Sequence, residues 1–238
     1  MFDKLFSAPQ IEALLSDESL IEAMLRFESA LAATQADLGL VPQKAASVIG
    51  NCCSVQFFDV NDLLRSAERD GNPAIPLVKA IGKQVAAMDP DATKYVHMGA
   101  TSQGVIDTGL MLCTKKALEL VIANLAGIEE RLINLVERQR RTFLPGRTLL
   151  QHARPISLGL KAAGWLDGIA RCRRMLEQDA QLTWSCSLGA RLAVLLPAVR
   201  KDLRSWTRWR ANLTSQRQRF PGIRNEIASA VSAWTWHS

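Results

Sequence analysis

Tyr95-Val96-His97-Met98-Gly99-Ala100-Thr101-Ser102-Gln103 opens the stretch whose reading decides the fold. From Gln103 a helical pattern runs on to Arg141. Its apolar stripe passes through Ile106, Leu110, Cys113, Ala117, Val121, Leu125, Ile128, Leu132 and Leu135, in steps of three and four. No strong stop comes before Thr142-Phe143-Leu144-Pro145-Gly146. At 1.5 Å per residue such a helix spans about 58 Å. A helix that long needs partner helices along most of its length. The polar residues before it sit where a helix presents unpaired N–H groups and partial positive charge. The stretch therefore predicts a scaffold rod with a place for an anion at its mouth.

Outward from the rod, both flanks also read as helical. Ser16-Asp17-Glu18-Ser19 supplies caps for a stripe through Leu20, Met24, Phe27, Leu31 and Leu38 that Gly39 ends, within a region 1–40 read as helix. A second segment passes through Ala45 to Ile49, and a short helix covers Val60 to Ala67. Arg69-Asp70-Gly71-Asn72-Pro73 reads as a turn leading to a helix through Leu77, Val78, Ile81 and Val85. On the far side, Pro145 to Pro155 reads as a polar, turn-rich loop, followed by a stripe through Leu158, Ala162, Leu166, Ile169, Cys172 and Leu176. Two long helices joined by a loop predict an antiparallel pair from a bundle. The fold class is all-α, with no strand alternation. The expected domains are an N-terminal helical domain over 1–95, an incomplete central bundle over 96–182 and an anomalous tail over 183–238.

The net charge of +6 belongs to that tail. From Thr183 onward there are nine Lys or Arg against two acids, Asp202 and Glu226, and five of the six tryptophans. The residues before it hold twenty basic and twenty-one acidic side chains. The basic balance is therefore no argument for nucleic acid, and no nucleic-acid partner is expected. No run of eighteen apolar residues suggests a membrane span, and no leader pattern opens the chain. The five cysteines lack Cys-x-x-Cys spacing and read as free thiols of a cytoplasmic protein. Three scattered histidines make no metal set, and no phosphate loop is present, so no cofactor is expected.

Two polar groups remain. His97 with Thr101, Ser102 and Gln103 suits a carboxylate ligand; equally, Thr101 or Ser102 caps the helix while His97 packs nearby. His152 stands among Arg147, Thr148, Gln151 and Arg154, whose guanidinium, hydroxyl and amide donors suit an anion. Asn72 is by default a turn residue.

These segments together carry a resemblance. Tyr95–Thr108 and Pro145–Pro155, on either side of a very long helix, resemble the first two signature regions of the fumarase/aspartase superfamily. Met24–Ala32, Gly71–Val78 and Gly159–Asp167 add to it, and within the superfamily the pattern is most similar to the muconate cycloisomerase branch. The superfamily's lyases carry a histidine where this chain has Leu149, which resembles the cycloisomerases and argues against a lyase. Gly104 stands where the family usually has an acid, and the later Gly-Ser-Ser-x-Met-Pro-x-Lys loop with its catalytic serine is absent.

The resemblance implies cofactor-free lactonisation of a small tricarboxylate. It implies a homotetramer whose sites are shared between subunits, with no membrane partner. It implies His152 and His97 as the catalytic pair, and substrate contacts from Asn72, Thr101, Ser102, Gln103, Thr148, Gln151 and Arg147. With two of three signature regions, the chain is expected to show little or no activity. The tail carries its own expectation: read one base out of frame, Trp184–Arg191 can decode as Val-Leu-Gln-Phe-Gly-Gly-Ala, which the family carries after its second bundle helix. A frameshift near Leu182 would account for the tail, the alternative being a genuine basic tail, and sequencing the encoding DNA tells them apart.

Overall fold

A buried carboxylate and a buried amide sit among the apolar side chains of one helix, and the first compact unit packs against that helix. The computed structural model describes residues 8–182. Among them, helices alternate with short turns: α1 (Pro9–Leu14), α2 (Asp17–Asp37), α3 (Gln43–Cys52), α4 (Val60–Asp70), α5 (Ala74–Met88), α6 (Ser102–Arg138) and α7 (Leu158–Leu182). Two 3₁₀ turns, Val55–Phe57 and Pro90–Tyr95, complete the helical part. The helical class expected from the sequence is the class observed. The expected tail, with its proposed frameshift, lies outside the described residues.

The helical region expected over 1–40 holds two helices within the described residues, divided at the expected caps. Ser16 is extended, at φ −67° and ψ 158°, and its hydroxyl accepts the Ser19 N–H at 3.2 Å. That bond satisfies an orphan donor of α2 and starts a new helix there. At the other end, Gly39 takes φ 73°. Its N–H reaches Ala36 O, and the Leu40 N–H reaches Gln35 O at 2.9 Å. This paired return of donors to the last turn is the Schellman arrangement that glycine makes cheap.

In the unit formed by residues up to Thr114, Met24, Leu25 and Phe27 of α2 are fully buried with Ile49, Leu77, Ile81, Val85 and Val105. The start of α6 packs closely on α2. A Cβ at Gly109 would lie 2.9 Å from Met24 Cγ, so the missing side chain permits that approach.

The second unit, from Lys115, holds the rest of α6, a hairpin and α7. Its two helices run antiparallel. Gly159 lies against the backbone of Val136 and Arg140, and farther along α7 the Arg173 Nε donates to Glu129 Oε1 at 2.7 Å. Arg173 also donates to Glu177 at 2.5 Å, and Arg171 pairs with Asp167.

The loop expected over 145–155 is instead a two-stranded antiparallel hairpin, β1 (Phe143–Thr148) and β2 (Gln151–Ser157), irregular between Pro145 and Arg147. Its strands are mostly exposed and its turn, Leu149-Leu150, has no glycine or asparagine. The sequence therefore lacks both the alternation and the turn residues by which hairpins are read. No helix among the described residues is long and apolar enough to cross a membrane.

Candidate active site

The mouth of α6 is held from below by α2. Glu28 lies one residue after Phe27 and four after Met24, on the core face, and is 1% exposed. A buried carboxylate needs a partner. Glu28 Oε1 finds it in His97 Nδ1, at 2.6 Å. Two turns along α2, Gln35 Nε2 donates to the Met98 carbonyl at 2.7 Å. These two residues, seven apart on one helix face, fix a loop whose backbone is left-handed at His97 (φ 56°) and at Gly99 (φ 73°). A histidine held there carries conformational strain. Among the described residues, His97 Nε2 has no partner, and Glu28 Oε2 is buried without one.

Thr101 precedes the first helical residue, and its Oγ1 accepts the Gly104 N–H at 3.2 Å. The Val105 N–H returns to the Thr101 carbonyl. This is the cap considered from sequence, and it still leaves the Thr101 hydroxyl hydrogen free to donate. Gln103 Nε2 donates to Asp107 Oδ1 at 2.6 Å, so part of its donor capacity is committed along the helix. Asn72 Oδ1 accepts the Ala74 N–H at 2.8 Å and so organises the entry to α5. No hydrogen bond among the described residues links it to the His97–Gln103 group.

The second group lies on the hairpin. Arg147 pairs with His152, and Thr148 with Gln151. Successive side chains on a strand point to opposite faces. Arg147 and His152 therefore share one face, and Thr148 and Gln151 share the other. Arg154, two residues along the strand, falls on the face of His152 and Arg147, so the hairpin divides the expected group between its two faces. All five side chains are exposed, and none has a hydrogen-bond partner among the described residues. The two groups flank α6 in sequence and belong to different compact units.

Reasoning from sequence missed the Glu28 contact with His97. The signal was there: an acid inside an apolar helical stripe, with no basic residue one turn away to neutralise it.

Against known proteins, a family profile described as Lyase matches residues 3–202. The 3-carboxy-cis,cis-muconate cycloisomerase of Pseudomonas putida is 42% identical over 189 residues, 79% of this chain and 45% of that relative. Its namesake from Pseudomonas aeruginosa is 44% identical over 178 residues, covering 75% of this chain and 39% of its own. The crystal structure of 3-carboxy-cis,cis-muconate lactonizing enzyme from Pseudomonas putida superposes with a TM-score of 0.78 at 39% identity, over 82% of this chain and 46% of that one. The chain thus spans less than half the length of these relatives. A helical fold, a capped polar mouth before a 37-residue helix and a profile match over most of the sequence place the chain in the lyase family of the fumarase/aspartase superfamily.

Proposed function

We propose that this chain carries part of the site of a cycloisomerase that closes 3-carboxy-cis,cis-muconate into its lactone without a cofactor. The observation that carries this reading is Leu149. At the position where the superfamily's lyases hold a histidine, the hairpin tip presents an apolar side chain that is 90% exposed, in a chain similar to cycloisomerases.

The reaction is an isomerisation. One carboxylate oxygen adds to a carbon–carbon double bond, and a proton is delivered to the carbon beside another carboxylate. Negative charge builds up on that second carboxylate as an enediolate, so donors aimed there lower the barrier. The start of α6 offers such donors: the Thr101 hydroxyl, the Ser102 hydroxyl and the orphan N–H groups of the first turn. His97, with Nε2 free, stands beside them. On the hairpin, His152 is the proton-transfer candidate, with Arg147 on its face and Thr148 and Gln151 on the other. Asn72 and Gln103 act mainly through the local bonds already described.

The proposed assembly is a cytoplasmic homotetramer that brings the two groups together from different copies. Its proposed domains are an N-terminal helical domain over 1–95, a bundle segment over 96–182 and a tail over 183–238, of which the part beyond the profile match at residue 202 would be foreign to the family. The contact division after Thr114 supports this only in marking how far α6 packs on the first unit.

The test is titration of the purified chain with the tricarboxylate, followed by calorimetry and by the loss of conjugated-diene absorbance. Saturable binding that Thr101→Val weakens supports the reading. Cleavage of a succinyl-type substrate, with no response to the muconate, would replace it with a lyase of the same fold.

A further inference from the structure

The Glu28–His97 contact has properties that a simple staple would not need. The carboxylate is almost wholly removed from water, yet only one of its oxygens is paired among the described residues. Leaving a buried acceptor unpaired costs stability. The histidine it meets sits in a left-handed backbone conformation that glycine would adopt more cheaply. Two local costs therefore converge on one 2.6 Å contact. An apolar residue at position 28 would fill the same space between Phe27 and Ser29 without the unpaired acceptor.

The contact does fix which nitrogen carries the proton. An ionised carboxylate can only accept, so Nδ1 must donate, and in the neutral ring Nε2 is left as a bare lone pair. Free imidazole prefers the opposite tautomer, with the proton on Nε2. The His97 side chain keeps 18% exposure while Glu28 keeps 1%, so the ring runs from the core to the surface, four residues before the Thr101 cap of α6. Cys53 also lies near Glu28, and its thiol is pushed far up by burial first and by the Glu28 charge second. A neutral thiol there adds no competing charge.

We infer that Glu28 is a positioning residue: it holds neutral His97 as the Nδ1–H tautomer and presents Nε2 as a proton acceptor at the mouth of α6. The inference rests on the proposed function only for what Nε2 would act upon. Its role is the same one that carboxylates play behind metal-bound or catalytic histidines, where the outer partner sets the ring's tautomer and orientation.

The experiment is nitrogen NMR of the full chain labelled at histidine, at a pH where the imidazoles are neutral, with His97 assigned by its loss in His97→Gln. The expected wild-type spectrum shows a protonated Nδ1 and a bare Nε2. In Glu28→Leu, the ratio of Nδ1–H to Nε2–H should fall roughly tenfold, the size of one charge-assisted hydrogen bond. A wild-type ring protonated on Nε2 overturns the inference without need of any variant. So does a Glu28→Leu ring that keeps the wild-type tautomer with unchanged helical circular dichroism. Adding the tricarboxylate separates the two claims: an Nδ1–H tautomer whose Nε2 signal ignores the acid leaves Glu28's role standing and removes the proposed substrate.

Discussion

Replacing the hairpin turn should make this protein more stable, although both residues removed are leucines. Leu149 and Leu150 connect β1 to β2 with φ values of 26° and 64°. A two-residue turn with both centres at positive φ is the kind that favours Asn-Gly. An L-residue with a Cβ pays about 1–2 kcal/mol for that conformation. Neither leucine recovers the cost by burial, since they are 90% and 102% exposed. In the double variant Leu149→Asn/Leu150→Gly, asparagine tolerates the left-handed region and glycine pays nothing there. Against that, glycine gives back about 0.5–1 kcal/mol through the freedom of the unfolded chain.

The net expectation is a hairpin stabilised by about 1–2 kcal/mol, a factor of about 5–30 in its opening equilibrium. Amide hydrogen exchange at Thr148 and Gln151, the pair that flanks the turn, reads this directly. Both should exchange more slowly by that factor. Leu150→Ala is the control, because it removes the apolar side chain and keeps the strained Cβ, so it should change little. Exchange in the double variant that is unchanged or faster would refute the reasoning, and slower exchange in Leu150→Ala would shift the cause from backbone strain to exposed apolar surface.

Two glycines of α7 should respond in opposite directions to alanine. At Gly159 a Cβ would meet backbone atoms of Arg140 and Val136 at 3.0 Å, and a loss of about 1–3 kcal/mol is expected in urea unfolding. Gly164 has nothing within 4 Å, so Gly164→Ala should gain up to about 1 kcal/mol from helix propensity. The Arg173 hydrogen bond, helped by the charges of Arg173 and Arg174, holds the Glu129 carboxyl below its ordinary range. A carboxyl depressed on folding stabilises above its unfolded pKa and loses that contribution as pH falls through its folded one. The difference in melting temperature between the protein and Arg173→Met should therefore shrink between about pH 6 and about pH 3, and a constant gap would contradict it. Burial raises the thiol pKa at both Cys52 and Cys53, whereas Cys172 is exposed. Mild alkylation followed by peptide mapping should label Cys172 well before either of the adjacent pair, and equal labelling would count against the described packing.

What the sequence makes legible here follows the range of the forces involved. Helix-period stripes depend on neighbours three and four residues away, so α6 emerged within a few residues of its observed ends, and Gly39 and Ser16 marked their boundaries by chemistry local to one turn. The hairpin did not emerge. It is mostly exposed, so its strands carry no apolar alternation, and its turn breaks the residue rules that would announce it. The site was legible in the same proportion. Thr101 was found because capping is local. The grouping around His152 is divided between two faces because a loop and a strand distribute side chains differently, and only backbone pairing tells them apart. Glu28 lies 69 residues from His97, too far for any periodicity to join them. Yet its position was already informative, because an acid on the buried face of a helix demands a donor from elsewhere in the fold. That donor is His97, four residues before the cap of α6. A charge out of place in an apolar stripe is thus a long-range contact written in local sequence. Here it points from the core of the first unit to the polar segment that opens α6.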